Sequence, residues 1–137
     1  MMLELQIRIC GVLLLGLAML HLWFPKRFRW TEEFRYVSPL SRQMFYVHTG
    51  FIAFIVLLNG LLFLSLAPEL VRPSPLGRAL MLGICAFWLA RLLVQLFVYS
   101  PLLWRGRPFE TRIHAAMTLL WTYLAVVSVV TLCRTWA

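Results

Sequence analysis

Residues 43–66 read QMFYVHTGFIAFIVLLNGLLFLSL, an unbroken run without aspartate, glutamate, lysine or arginine. A helix of that length rises about 36 Å at 1.5 Å per residue, more than the roughly 30 Å hydrocarbon core of a bilayer. Lipid offers the main chain no hydrogen bonds, so such a segment must satisfy its own amides, which a helix does. Three more runs share this character, at about 7–24, 78–99 and 113–133. Four spans in one short chain predict an all-α integral membrane protein, an up-down four-helix transmembrane bundle forming a single domain over 1–137.

Composition agrees. The 137 residues are 62% hydrophobic and 13% charged, whereas soluble domains are about half apolar and a quarter charged. Local punctuation marks the breaks. Pro25 follows the first run. Ser38-Pro39 opens the second with a capping serine and a proline in the first turn. Pro68, Pro73 and Pro75 separate the second from the third, Pro101 closes the third, and Gly106 and Pro108 turn into the fourth. The first run lacks both a basic leader and a small-x-small cleavage pattern, so it reads as a retained span, not a signal peptide.

The net charge of +8 lies in patches between the runs, where it reports membrane orientation and not nucleic-acid binding. One side carries Lys26, Arg27, Arg29, Arg35, Arg42, Arg105, Arg107 and Arg112; the other carries Arg8, Arg72, Arg78 and Arg134. The excess puts the first group in the cytoplasm and both termini outside, with the bacterial inner membrane as the default location, and disfavours dual topology. The loop 26–36 interleaves basic and aromatic residues, a pattern that seats in anionic headgroups. Thr31 is its expected helix cap, ahead of Glu32 and Glu33.

Polar side chains inside spans are costly and therefore informative. His21, His48 and His114 all fall toward the cytoplasmic ends of their helices. Gln95 sits about 6 Å in from Tyr99, at the same level. Arg91 lies one turn deeper, with Trp88 three residues before it. Glu110 and His114 share a face of the fourth helix, continued by Thr118 and Trp121. His48 and Asn59 share a face of the second, where Asn59 is expected to bond across helices.

Three chemistries fit this layer. The first is cofactor binding: His48 and His114, with His21, as ligands of haem b, or His21, His48, His114 and Glu110 around a single transition metal in a redox role, backed by Arg91 and Gln95. The second is a donor-rich site for an anionic metabolite or lipid headgroup in a small oligomeric carrier. The third is a structural network in an accessory or scaffold subunit of a larger membrane complex. The sequence fixes neither reaction nor substrate. It carries no nucleophile motif, phosphate-binding glycine loop or dinucleotide fingerprint. Cys10, Cys85 and Cys133 form no paired motif, which argues against thiol–quinone chemistry. Ala86 with Ala90, and Ala115 with Ala116, offer small surfaces for close helix approach. The six tryptophans read as interfacial anchors.

Overall fold

The computed structural model describes residues 1–136. The protein is all-α, and four of its helices are long and apolar enough to cross a membrane. In chain order the elements are α1 (Met2–Arg27), α2 (Trp30–Glu33), α3 (Pro39–Ser65), α4 (Ala67–Val71), α5 (Pro75–Leu93), a π-helical turn (Val94–Val98), a short 3₁₀ turn (Pro101–Leu103) and α6 (Pro108–Trp136). The spans are α1, α3, α5 continued through the π turn, and α6. The chain forms two compact units: residues 5–67, and residues 1–4 with 68 onward. Each contains a helical hairpin.

In the first hairpin, Arg8 Nη1 of α1 donates to the Leu64 carbonyl of α3 at 3.2 Å, and Gly11 lies against Gly60. Rising numbers on one helix meet falling numbers on the other, so the pair is antiparallel. Buried positions follow a three-four spacing: Ile7, Cys10, Leu14 and Leu17 on α1, then Ala53, Val56, Gly60 and Phe63 on α3. That repeat keeps one stripe facing inward, as in left-handed helix pairs. The remaining surface is apolar and outward-facing, with Val12, Met19, Phe51 and Ile52 among many examples. Lipid is as apolar as leucine, so close packing must hold the pair together. The closest approach is at glycine: a Cβ on Gly11 would stand 3.0 Å from the Gly60 carbonyl oxygen, and one on Gly60 3.1 Å from that of Gly11.

In the second hairpin the buried positions Met81, Ile84 and Trp88 of α5 and Trp121, Leu124, Ser128, Thr131 and Thr135 of α6 keep the same spacing. Arg78 Nε donates to the Thr135 carbonyl at 2.7 Å, while Trp88 stacks on Trp121, so this pair is antiparallel too. The hydroxyls of Ser128 and Thr131 are buried, yet each donates to a carbonyl one turn earlier at 2.7 Å. Burial therefore leaves no unmet donor there.

Several local expectations change. α1 continues through Pro25 to Arg27; a proline in the last turn forfeits only one amide bond, near an end that frays anyway. Thr31 does not cap α2. The capping position is Arg29, left-handed at φ 50° and without a side-chain cap, and its guanidinium pairs with Glu32 at 3.0 Å. α5 starts earlier than expected, at Pro75, because Ser74 caps it by accepting from the Gly77 amide at 3.0 Å. This repeats the Ser38-Pro39 device, which caps α3 through the Ser41 amide. Ala86, Ala90, Ala115 and Ala116 are all exposed, whereas Gly11 and Gly60 do lie at a helix contact.

Candidate functional site

The polar residues converge within the second hairpin. α5 gives way at Val94 to a π turn, whose wider ring holds Gln95 in a buried position. Such turns interrupt regular helices often at functional places. Trp121 Nε1 donates to Gln95 Oε1 at 3.3 Å, and the Gln95 amide nitrogen lies 2.8 Å from His114 Nδ1. Trp104, just after the 3₁₀ turn, covers the imidazole face: the rings are 3.7 Å apart and only 8° from parallel. Gly106, at φ 79°, supplies the left-handed turn that brings the chain from Trp104 back into α6. The result is a hydrogen-bonded relay, Trp121 to Gln95 to His114, with the imidazole held flat.

Arg91 lies one turn before Gln95. Its Cζ stands 4.5 Å over the Trp121 ring and 5.8 Å from the Tyr99 ring, and Trp88 stacks on Trp121 at 5.6 Å and 14°. The guanidinium is thus stabilised by ring faces. Nη1 of Arg91 and Nε1 of Trp88 are buried without a hydrogen-bond partner. Among the described residues no carboxylate pairs with Arg91. The second hairpin's acidic side chains within or beside its spans are Glu69, which pairs with Arg72 at 2.9 Å, and Glu110, which is exposed in the first turn of α6.

Of the residues singled out from sequence, the structure therefore joins Gln95 and His114 directly, with Arg91 beside them against Trp121. Glu110 is not drawn into the relay. His21 and His48 belong to the first hairpin, where each turns Nδ1 onto its own helix, at 2.8 Å from the carbonyls of Leu17 and Met44. His21 is part-buried and His48 exposed. Among the described residues Asn59 makes no bond across helices: its Nδ2 donates to the Ile55 carbonyl at 2.9 Å, so one of the amide's two N–H groups is met on its own helix. Among the described residues, no three histidine, cysteine, aspartate or glutamate side chains gather closely enough to hold a metal ion. Among the described residues no disulfide forms, and Cys10 and Cys85 are buried.

Tryptophan is where sequence reasoning fell shortest. Trp30, Trp88 and Trp121 are buried, so they are packing residues and not interfacial anchors. Trp30 packs on Phe45 and Tyr46 of α3 at ring distances of 4.7 and 5.5 Å, fixing the 26–36 loop to its own hairpin. Trp88 and Trp121 were visible on the faces of Arg91 and His114 by helical spacing. Trp104 was not, since a turn places it. No protein-family model, curated protein or solved structure is detectably similar to this chain. Fold and site define it as a small multi-pass membrane protein with a polar relay between its last two spans.

Proposed function

We propose that this protein is a non-enzymatic membrane subunit or small carrier that binds an anionic group, a phosphate or carboxylate carried by a metabolite or a lipid headgroup, at Arg91. One observation carries the reading: an arginine inside an apolar span, with a buried nitrogen lacking any acceptor and no carboxylate beside it. Placing arginine inside a membrane helix costs up to about 2.5–3.5 kcal/mol on insertion scales, the full figure applying at the helix centre. The ring contacts offset up to about 2 kcal/mol, but a buried donor without an acceptor costs a further 1–3 kcal/mol or so. An anion supplies the missing charge and acceptor together. The location in a bacterial inner membrane, with the Arg91 end of the span toward the cytoplasm, belongs to the same proposal and rests on the charge bias of the loops.

The test separates the two sources. Protein in phosphatidylcholine nanodiscs is titrated calorimetrically with inorganic phosphate and succinate, and detergent-purified protein is examined by native mass spectrometry with phosphatidylglycerol. Binding in the first arm identifies a soluble anion; binding in the second alone identifies a headgroup. Arg91→Ala should weaken the interaction about tenfold or more, with helicity unchanged. Equal binding by wild type and Arg91→Ala in both arms refutes the reading.

Haem or metal ligation is the second reading, and the bonding of two histidines is compatible with it. A carbonyl only accepts, so Nδ1 of His21 and of His48 must carry a proton, and in the neutral ring Nε2 is then bare. That is the tautomer metal-bound histidines adopt. A Soret band, or about one equivalent of iron, copper or zinc lost in His48→Ala, would favour this reading; colourless, metal-free protein from supplemented cells would end it.

A further inference from the structure

The Trp121–Gln95–His114 relay has a direction that its donors and acceptors dictate. An indole N–H can only donate. Trp121 Nε1 faces Gln95 Oε1 at 3.3 Å, so the amide nitrogen is turned to His114 Nδ1 at 2.8 Å. An amide NH₂ has no lone pair to offer, and Nδ1 must therefore be bare. Turning the amide over would set its NH₂ against the indole N–H in a buried place, donor against donor. Stacking on Trp104 at 3.7 Å keeps the imidazole from turning over instead. The neutral ring is left with its single proton on Nε2. Among the described residues that nitrogen has no hydrogen-bond partner, and His114 is only half-buried, so Nε2 is the ring position left for a ligand.

We infer that Trp121 and Gln95 lock His114 as the Nε2–H tautomer, making His114 a specificity-determining donor that donates to ionised phosphate or carboxylate oxygens and refuses metal cations at Nε2. Gln95 and Trp121 are positioning residues. His114 is in the opposite state to His21 and His48, whose Nδ1 atoms donate to carbonyls. The ligand class rests on the anion-binding reading of Arg91; the tautomer rests on the relay alone.

Ring nitrogen NMR on protein labelled with ¹⁵N-histidine, in nanodiscs, decides the lock. The His114 signals, assigned by their loss in His114→Gln, should show a protonated Nε2 and a bare Nδ1, with the reverse pattern for His21 and His48. Trp121→Phe keeps a ring beside Trp88 and Arg91 but removes the orienting N–H, and should give a mixture of tautomers. Gln95→Glu puts an acceptor opposite Nδ1, and should move the proton there and create zinc binding that wild-type His114 lacks. A wild-type His114 protonated at Nδ1, or a Trp121→Phe spectrum unchanged from wild type, overturns the lock. Phosphate and phosphatidylglycerol titrations decide the ligand half. Trp121→Phe and His114→Gln should each weaken binding about tenfold, and unchanged affinity overturns the donor role even where the lock holds. If wild type binds neither anion, the proposed function falls and takes the ligand half with it, while the NMR result still decides the tautomer.

Discussion

Gly11 and Gly60 show how much one missing methyl can do in a membrane helix pair. A Cβ at Gly11 would lie 2.8 Å from Leu64 Cγ as well as 3.0 Å from the Gly60 carbonyl oxygen. The side chain could turn aside, but the backbone oxygen could not without separating the helices. Gly11→Ala or Gly60→Ala should therefore destabilise the protein by about 1–3 kcal/mol, as over-packing does elsewhere. Gly16 is the internal control, because nothing lies within 4 Å of a Cβ there. Gly16→Ala should change stability by no more than about 1 kcal/mol, on the stabilising side, since alanine suits a helix better than glycine. Denaturant-induced unfolding in mixed micelles checks both, and equal effects at the three sites would discard the close-approach account. Sequence named alanine pairs for this role and overlooked the two glycines. A small residue only permits approach; which face meets a neighbour is set by the whole buried stripe, and that stripe is hard to find when the lipid-facing side is equally apolar. Asn59 failed for a related reason: its amide found an acceptor on its own helix before it needed another.

Among the elements, both hairpins close by one device. Arg8, near the start of α1, donates to a carbonyl in the last turn of α3, and Arg78, near the start of α5, donates to one in the last turn of α6. Terminal carbonyls lack partners within their own helix and carry the negative end of its dipole, so a guanidinium arriving from an antiparallel neighbour answers both needs. Arg78 also lies over the Trp136 ring, 5.0 Å from its centroid. Arg78→Met should cost about 2–4 kcal/mol, the range for a hydrogen bond to a charged group plus the dipole contribution. Amides in the last turn of α6 should exchange faster while those around Leu124 do not, and uniform acceleration across α6 would rule out a local cap. Spans and most of their ends were legible because hydropathy, serine caps and prolines act locally. The arginine caps and the π turn at Gln95 were not, because the first needs a partner carbonyl distant in sequence and the second answers to packing that no local residue signals. In sequence these arginines were only charges to be counted.

For the molecule as a whole, four crossings make the side of every loop follow from one choice of orientation. Lys26, Arg27, Arg29, Arg35 and Arg42 precede the second span, Arg105, Arg107 and Arg112 precede the fourth, and only Arg8, Arg72, Arg78 and Arg134 lie on the other side. Alkaline phosphatase fused after residue 136 should therefore be active outside the cytoplasm, and a fluorescent protein at the same place dark, with the opposite result for fusions in the 26–36 loop. Replacing Lys26, Arg27, Arg29 and Arg35 with glutamine would leave four basic residues in the loops and helix ends of each side. Fusions at one site should then report both orientations, because the bias that fixes insertion has been removed. An unchanged single orientation would mean that something other than loop charge sets it. The orientation also bears on the anion site: Arg91 lies toward the end of its span that leads to Tyr99 and Trp104, the side given to the cytoplasm. A soluble ligand should then compete from that face alone, in vesicles whose protein faces one way. Competition from the opposite face only would reverse the assignment without touching the Trp121–Gln95–His114 relay, whose direction depends on donors and acceptors and not on which compartment it meets.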